Sequence, residues 1–382
     1  MILAPTRELA NQIAQELRKL SRHIPNLKVL TLCGGTPFRP QVLSLSHGAH
    51  IIVATPGRVL KHIEQNNIDL ENMNTLVLDE ADKMLDMGFY DDIMKIIDTL
   101  PPKRQTLLFS ATFEKNIEKL ASNVLINPVI VKVEDEEKVH IKQKFYEVED
   151  SNKTALIPAL ISSNKAKSIL IFCNMKIKCD KLADDLYAMG LDVLTLHSDL
   201  EQKERDETII LFSNKSYPIL IATDVASRGL HIDDVDLVIN YDLSLDEKIH
   251  THRIGRTARA GKGGLAISLY TKNDFDRVEV IKDTFSDIQE CGIENVEDDL
   301  SYKIDSDLRT IFINGGKKQK LRAGDILGAL TAGIGLQKDD IGKITILDFA
   351  SYVAIKKDVV EDTIKKLSNE KIKGKLYRIY LK

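Results

Sequence analysis

Apolar residues occur in short runs along most of the chain, separated by polar, helix-forming stretches. In the first part, these runs predict buried strands at 29–32, 51–54, 76–78 and 106–109. The stretches between them place apolar residues at a helical period, most clearly at 7–22, 58–66 and 91–100. Strands that alternate with helices in this way predict a parallel sheet covered by helices.

The alternation restarts after a charged run at 134–138, which predicts a linker. Further buried strands are predicted at 168–173, 193–196, 218–222, 237–240 and 264–269. Helices are predicted at 174–189 and 200–214, with a helical connection at 273–290. This second series predicts another α/β domain in tandem with the first.

The last part of the chain has a different order of elements. Strand, helix, strand, strand, helix and strand are predicted in turn at 310–313, 323–332, 344–347, 352–355, 358–367 and 377–381. This order fits a small α+β sandwich such as an RNA-recognition module. We therefore expect domains at 1–134, 135–290 and 306–382.

The charges are unevenly distributed along the 382 residues, whose net charge is −4. Residues 308–382 contain 16 Lys and Arg against 8 Asp and Glu, so they carry +8 while the remainder carries −12. A basic C-terminal module predicts a polyanionic partner. The alternative is a lysine-rich surface that is merely solvated.

The cysteines and the apolar runs indicate the compartment. Cys33, Cys173, Cys179 and Cys291 form no Cys-x-x-Cys pair, which is typical of reduced thiols in a cytosolic protein. No run approaches the ~18 apolar residues of a membrane span, and the first residues lack the basic region of a secretory signal. We expect a cytoplasmic protein with no membrane segment.

Residues 75–82, Thr-Leu-Val-Leu-Asp-Glu-Ala-Asp, join a predicted strand to a group of carboxylates. Ligands of open α/β sheets bind at the carboxyl ends of strands. There Asp79 can hold a hard cation, and Glu80 can take a proton from an attacking water. A nucleoside triphosphatase needs this arrangement, but the alternative is that the carboxylates cap the following helix.

Several short motifs accompany this stretch. The first α/β domain contains Ala-Pro-Thr-Arg-Glu-Leu-Ala at 4–10, Gly-Gly at 34–35, Thr-Pro-Gly-Arg at 55–58 and Ser-Ala-Thr at 110–112. The second contains Ala-Thr-Asp-Val-Ala-Ser-Arg-Gly at 222–229 and His-Arg-Ile-Gly-Arg-Thr-Ala-Arg at 252–259. In their joint order and spacing they resemble the DEAD-box RNA helicases, from residue 1 to about residue 282.

This resemblance implies a fold and an activity. The fold is α/β, with two tandem RecA-like parallel-sheet domains, the first one N-terminally truncated, followed by an RRM-like α+β domain. The activity is ATP-dependent unwinding of short RNA duplexes, with ATP and Mg²⁺ as cofactors and RNA as partner. Residues 313–331 and 372–375 further resemble the RNA-binding domain of the DbpA subfamily, which implies action on 23S ribosomal RNA during large-subunit assembly, by a monomer.

The resemblance also implies roles for individual residues at the nucleotide. Asp79 matches the magnesium ligand and Glu80 the base that orients water. Asp82 and His252 match residues that tie the nucleotide site to the facing domain, while Ser110 and Thr112 match the motif that links hydrolysis to strand separation. The remaining matches are at the phosphates and the nucleotide: Arg256, Arg259 and Gly229. His231 replaces the usual aspartate that touches the ribose.

A second set of residues matches the family's RNA contacts. In the α/β domains these are Thr6, Arg7, Gly35, Thr55, Gly57, Arg58, Gln202, Arg205 and Thr223. For Thr6 and Thr55, helix capping is the alternative. In the last domain, Phe312 and Tyr352 match base-stacking positions, although both could be core residues, and Ala350 occupies a third such position. Phosphate contacts there are expected from Lys317, Lys318, Lys320 and Arg322.

One family motif has no counterpart in these residues. The chain contains no Gly-x-x-x-x-Gly-Lys-Ser/Thr sequence, whose backbone amides cradle phosphates and whose lysine neutralises them. The adenine-recognition segment is also missing. We therefore expect an incomplete form of the enzyme that binds ATP weakly. Two alternatives stay open: a non-catalytic RNA-binding protein, and a DNA helicase of the same superfamily.

Overall fold

The structure is a computed structural model that describes residues 1–113, 115–132, 141–224, 232, 235–257, 263–285, 287–299 and 301–382. The described residues form two compact units. The first lies within 1–135, and the second lies within 136–227 and 232–382. The second unit contains two separate sheets, one within residues 141–291 and the other within residues 308–381.

The first unit is built on a parallel sheet, as predicted, and this sheet has five strands rather than the four predicted. Its strands are β1 (Ile2–Leu3), β2 (Val29–Leu32), β3 (Ile51–Ala54), β4 (Thr75–Leu78) and β5 (Gln105–Leu108). Its helices are α1 (Arg7–Leu20), α2 (Phe38–Leu45), α3 (Pro56–Glu64), α4 (Ala81–Asp86), α5 (Tyr90–Asp98) and α6 (Lys115–Val124). The apolar pattern does not predict β1, because two residues are too few to show a period.

The strand order β2-β3-β1-β4-β5 places β1 at the centre of this sheet. Leu3 pairs with Ala54 on one side and with Leu78 on the other, and all three are fully buried. Because the strands are parallel, their carboxyl ends lie along one edge. The segments that follow β1, β3 and β4 therefore begin side by side, and these segments carry Thr6, Thr55 and Asp79.

The second sheet has seven parallel strands in the order β12-β6-β11-β10-β7-β9-β8. The strands are β6 (Ile141–Glu147), β7 (Ile169–Phe172), β8 (Val193–Leu196), β9 (Ile219–Ala222), β10 (Leu237–Asn240), β11 (Gly264–Tyr270) and β12 (Ile288–Cys291). The described helices are α7 (Lys153–Ser163), α8 (Lys176–Ala188), α9 (Gln202–Ser213), α10 (Glu247–Ile254) and α11 (Phe275–Thr284).

The expected helical connection over 273–290 is corrected by β12. Helix α11 ends at Thr284, and the chain then turns extended at Phe285. Residues 288–291 pair in parallel with β6 and extend the sheet by one strand. The short sequence Ile-Gln-Glu-Cys does not predict this strand, because the strand depends on pairing within the sheet rather than on a local apolar pattern.

The third sheet is antiparallel, in the order β14-β15-β13-β16. Its elements are β13 (Leu308–Ile313), α12 (Ala323–Gly328), β14 (Ile341–Ile346), β15 (Ser351–Lys356), α13 (Val360–Leu367) and β16 (Ile379–Leu381). This confirms the predicted βαββαβ order. The helices cover one face of the sheet, where Ile311, Ile313, Val353 and Ile355 belong to the core.

The opposite face of the third sheet packs against the second α/β domain. The Thr310 hydroxyl in β13 lies 3.0 Å from Asn214 Nδ2 and 2.6 Å from Ser216 Oγ, and all three residues are buried. Lys382 forms an ion pair with Glu207 of α9. The C-terminal end of α9 and the loop after it therefore anchor the third sheet within the second unit.

Candidate nucleotide and RNA sites

The acidic stretch lies where β4 ends at the carboxyl edge of the first sheet. The Asp79 N–H donates to Leu3 O at 3.0 Å, so the sheet ladder continues to this residue. Glu80 then adopts a left-handed backbone, φ 49° and ψ 52°, and α4 begins at Ala81. A non-glycine residue in this region is strained, and such strain is found most often at functional sites.

Asp79 is half-buried beside another carboxylate. Burial raises its pKa, and the neighbouring charge of Glu80 raises it further. A cation at this position would relieve both effects. Because Mg²⁺ binds through one or two carboxylates and takes its other ligands from phosphates and water, Asp79 fits a magnesium ligand. Among the described residues, no group of three or more His, Cys, Asp or Glu could hold a metal.

The Glu80 carboxylate does not cap α4. It makes no side-chain capping bond, although Glu80 occupies the N-cap position. One oxygen, Oε1, lies 2.6 Å from Lys83 Nζ, and the other, Oε2, is buried without a hydrogen-bond partner among the described residues. A buried carboxylate oxygen without a partner can accept a hydrogen bond from a bound water.

Asp82 joins the acidic stretch to the Ser-Ala-Thr motif. Its Oδ2 accepts from the backbone N–H of Thr112 at 3.2 Å and from the Thr112 hydroxyl at 3.3 Å. The Ser110 hydroxyl in turn donates to Thr112 O at 2.7 Å. Residues from the ends of β4 and β5 are thereby held together, and a change at the nucleotide edge can reach the Ser-Ala-Thr segment through one carboxylate.

The expected RNA contacts of the first unit differ in what they do. Thr6 is a helix cap, since its Oγ1 accepts from Leu9 N at 3.3 Å. Thr55 precedes α3 but makes no side-chain capping bond. Gly35 has φ +71°, a conformation that side chains disfavour, and the Arg7 guanidinium occupies the space a Cβ would take there. Gly57 lies in the first turn of α3.

A buried glutamine positions Arg58. Gln41 Nε2 donates to Cys33 O at 3.0 Å and to Thr36 Oγ1 at 2.7 Å, while its Oε1 lies 2.9 Å from His62 Nε2. The Arg58 guanidinium donates to the same Oε1 at 3.4 Å and to Thr36 O at 3.2 Å. The role of Gln41 cannot be predicted from the sequence, because a polar residue in an amphipathic helix shows no sign of being buried.

In the second unit, a buried arginine ties several strand ends together. Arg253 is 1% exposed and binds Asp224 bidentately, with both N–O distances 2.7 Å. It also donates to Asp242 O at 2.7 Å and to Asn174 Oδ1 at 2.6 Å. The His-Arg-Ile-Gly-Arg motif contains this residue, but the sequence analysis assigns roles only to its neighbours. An uncompensated buried charge would be costly, so Asp224 and Arg253 depend on each other.

The other predicted residues of this motif are only partly described. His252 is half-buried within α10, and Arg256 is half-buried just after it, with its backbone O accepting from Val235 N at 3.3 Å. Arg259, Gly229 and His231 lie outside the described residues.

Three predicted RNA contacts lie on or near the first turns of α9. Gln202 opens the helix, and its Nε2 donates to Asp206 Oδ1 at 2.9 Å. Arg205 contacts His197 O at 3.5 Å. Thr223 follows β9, with its N–H donating to Leu196 O at 3.2 Å. The N-terminal end of α9 thus carries predicted RNA contacts, while its other end anchors the third sheet.

Of the two alternatives for Tyr352, a base-stacking position and a core position, its burial fits the core position. Tyr352 is 2% exposed, and its pKa is raised by burial and by the nearby Glu207 carboxylate. Phe312 is half-buried between the rings of Tyr352 and Tyr380, with centroid distances of 5.3 and 4.7 Å. Lys382 Nζ lies 5.6 Å from the Phe312 ring. A base cannot reach Tyr352 while α9 covers this face. By contrast, an exposed basic loop contains Lys317, Lys318, Lys320 and Arg322.

Comparisons with known families match three segments of the chain. Residues 1–120 match the DEAD/DEAH box helicases, and residues 151–261 match the helicase conserved C-terminal domain. Residues 310–381 match the DbpA RNA binding domain. No helix among the described residues is both long and apolar enough to span a membrane.

Individual relatives agree with the family matches. The chain is 45% identical to the ATP-dependent RNA helicase DbpA of Escherichia coli K12, over 100% of this chain and 83% of the relative. It is 36% identical to the Bacillus subtilis helicase of the same name, over 99% and 84%. The solved structure of Saccharomyces cerevisiae Dbp5 bound to RNA and ADP BeF3 is similar with a TM-score of 0.68 and 30% identity, covering 77% of each chain.

Proposed function

Since the chain belongs to the DEAD-box ATP-dependent RNA helicases of the DbpA type, which are RNA-dependent ATPases, we propose that it opens short duplexes in the 23S ribosomal RNA during assembly of the large subunit. The two α/β domains, near 1–134 and 135–290, provide the ATPase. The domain at 306–382 directs it to RNA. The enzyme acts as a monomer in the cytoplasm.

The observation that carries this proposal is the arrangement around Glu80. A strained glutamate follows Asp79 at the carboxyl edge of the sheet, and one of its oxygens is buried with no hydrogen-bond partner in the described part of the chain. Asp79 would hold Mg²⁺, which neutralises phosphate charge when it is bound. Glu80 accepts a hydrogen bond from the attacking water and orients it.

Asp82 couples ATP hydrolysis to the segment that is assigned to strand separation. Its two hydrogen bonds to Thr112 connect the acidic stretch to the segment after β5. A shift of this segment on loss of phosphate would follow from the shared carboxylate. Ser110 holds the same turn through Thr112 O. We assign Ser110, Thr112 and Asp82 to this coupling rather than to bond breaking.

In this proposal, Arg256 and Arg259 bind the γ-phosphate of ATP, and His252 contributes to nucleotide binding. A guanidinium suits the γ-phosphate because it binds two oxygens at once. Such an arginine contributes roughly 10³–10⁵ in rate in comparable triphosphatases. Gly229, which lies outside the described residues, is assigned to nucleotide binding by the family resemblance.

We assign RNA binding by the α/β domains to contacts with the phosphates and sugars of the RNA. Arg7, Gly35 and Arg58 lie together beside the loop that Gln41 fixes. Contacts to phosphate and sugar fix the position of a strand without reading its sequence. The further contacts in this proposal are Thr6, Thr55, Gly57, Gln202, Arg205 and Thr223.

The affinity of these 382 residues for ATP is expected to be low. They contain no phosphate-cradling Gly-x-x-x-x-Gly-Lys-Ser/Thr loop. A non-catalytic RNA-binding protein is the second candidate.

ATP hydrolysis with and without RNA separates the two candidates. We expect slow, RNA-stimulated turnover at millimolar ATP, well below that of the E. coli relative measured alongside. Glu80→Gln should remove the stimulated part while leaving RNA binding intact. Turnover equal to that of the relative would contradict the low ATP affinity. Turnover that RNA does not stimulate, or that Glu80→Gln does not change, would leave the non-catalytic candidate.

A further inference from the structure

Lys83 is a buried cation beside the glutamate that the proposed function assigns to the attacking water. The residue is 8% exposed, and its Nζ lies 2.6 Å from Glu80 Oε1. The other oxygen of this carboxylate, Oε2, is buried with no hydrogen-bond partner in the described part of the chain. The two oxygens of Glu80 therefore have different surroundings, since a cation holds one of them and the other can accept a further donor.

Backbone hydrogen bonds fix the positions of both residues of this ion pair. The Glu80 N–H donates to Asp79 Oδ1 at 3.0 Å, and Glu80 has the left-handed backbone that begins α4. Met84 N donates to Glu80 O at 3.1 Å, which closes one helical turn around Lys83. The rotation of the Glu80 side chain is the freedom that remains, and the contact with the Lys83 ammonium restricts it.

Stability alone does not explain a lysine at this position. Moving an ammonium group out of water costs free energy, and its attraction to one carboxylate does little more than offset that cost. The Lys83 side chain is only 10% exposed, whereas that of Lys19, which forms an ion pair of the same spacing with Glu16 on α1, is 70% exposed. A buried pair of this kind fixes the direction of the group that it holds.

We propose that Lys83 is a positioning residue for ATP hydrolysis, which holds Glu80 Oε1 so that Oε2 accepts the hydrogen bond from the attacking water. This inference rests on the proposed function and adds to it the residue that orients Glu80. A glutamate side chain without this contact can occupy several rotamers, so its carboxylate would have the productive direction for only part of the time. Lys83 itself contacts neither the water nor the nucleotide in this proposal.

Steady-state ATP hydrolysis by the full chain at saturating RNA tests this role. Lys83→Met keeps an apolar side chain of similar length but removes the ammonium group. We expect kcat to fall about 10- to 100-fold, while KM for ATP and the affinity for RNA stay unchanged, because a misdirected base slows the chemical step alone. Lys83→Arg, which keeps a cation, should restore most of kcat.

A double variant tests whether Lys83 acts through Glu80. Lys83→Met combined with Glu80→Gln should be no slower than Glu80→Gln alone, because a positioning residue has no effect once the group that it positions is lost. Lys19→Met is the matched control, since it removes an exposed ion pair with the same i,i+3 spacing, and it should leave kcat unchanged.

The ion pair can also be detected without turnover. A ¹H–¹⁵N NMR spectrum of the lysine ammonium groups should contain a slowly exchanging signal that is absent from Lys83→Met, and Glu80→Gln should shift this signal. A signal that Glu80→Gln leaves in place would overturn the inference.

The activity measurements separate failure of this inference from failure of the proposed function. If Glu80→Gln removes RNA-stimulated turnover and Lys83→Met does not lower kcat, only the role of Lys83 is wrong. The same conclusion follows if Lys83→Met raises KM for ATP at constant kcat, or if Lys83→Arg is as slow as Lys83→Met. If RNA does not stimulate turnover, or if Glu80→Gln does not change it, the proposed function itself fails.

Discussion

His250 shows how a single side chain couples the second helicase domain to pH. It is fully buried, with its Nε2 2.8 Å from Gln143 Oε1 and its ring against Phe145 and Phe285. Burial lowers its pKa from 6.5 to about 4, and the charge of Arg253 acts in the same direction. The unfolded chain therefore binds a proton on this histidine at a higher pH than the folded chain does.

The sign of the pH effect follows from that difference. Stability from neutral His250 is fully present above about pH 6.5 and is lost as pH falls toward 4. Between pH 7.5 and pH 5 the loss should be about 2 kcal/mol. We expect His250→Gln, measured by urea unfolding at both pH values, to remove that part of the pH dependence. His47→Gln, at an exposed histidine, should retain it, and equal behaviour of the two variants would contradict the assignment.

At the scale of single residues, the sequence predicts which side chains carry the chemistry better than it predicts the burial and contacts of each side chain. The residues Asp79, Glu80, Asp82 and Thr112 can be chosen from motifs, and Asp82 does bond to Thr112. Arg253 cannot be separated from Arg256 in the same motif, because burial distinguishes them and burial depends on distant strands. Thr6 and Thr55 look alike in sequence, yet only Thr6 makes a capping bond.

At the scale of elements, α2 and α3 are joined through Gln41. This side chain satisfies Cys33 O and Thr36 Oγ1 and accepts from Arg58, so it fixes both the Gly-Gly loop and the Thr-Pro-Gly-Arg motif. Phe38 of α2 also stacks on His62 of α3, with ring centroids 4.1 Å apart. The predicted RNA contacts of this region therefore depend on one buried amide.

Gln41→Leu should damage stability and RNA binding together. Removing the amide leaves buried partners unsatisfied, which costs about 1–3 kcal/mol. Without its bond to Gln41, Arg58 should lose its fixed position, and RNA affinity of the full chain should fall several-fold. Urea unfolding and RNA titration test the two effects. Gln65→Leu, at an exposed position on the C-terminal side of α3, is the matched control and should change neither.

Strands with clear apolar runs can be predicted from the sequence. Strands that form because they pair with distant neighbours in the sheet cannot. Runs of apolar residues predict strands β2, β3 and β4 and strands β7 to β11. Strand β6, Ile-Lys-Gln-Lys-Phe-Tyr-Glu, is polar along its first half, and β12 is short, so neither shows a clear period. Both depend on neighbours in the sheet that lie far away in the sequence.

On the scale of the whole molecule, the contact between the second and third sheets is the feature that sequence could not supply. The aromatic residues Phe312 and Tyr352 predict an open stacking face, but α9 covers it. The contact depends on small polar groups that meet across nearly 100 residues of chain, such as Thr310 with Ser216. Such groups show no pattern along the sequence, because they stabilise the contact only by forming hydrogen bonds to each other when they are buried.

This contact should make the second helicase domain and the C-terminal domain unfold together. Thr310→Val keeps the shape of the side chain but removes the hydroxyl shared by Asn214 and Ser216. Those two buried groups then lose a partner, at a cost of about 1–3 kcal/mol. In calorimetry of the full chain, we expect the transition of the second unit to move to lower temperature or to split.

A double-mutant cycle tests whether the effect comes from the contact itself. Ser216→Ala together with Thr310→Val should cost less than the sum of the two single changes, because the second change removes a group that the first already left unpaired. Thr331→Val alters a hydroxyl that bonds to Leu327 O at 2.8 Å within its own helical turn, and should leave the joint transition in place. Additive costs, or a transition unmoved by Thr310→Val, would mean that the C-terminal domain folds independently and that α9 does not hold its sheet face closed to RNA.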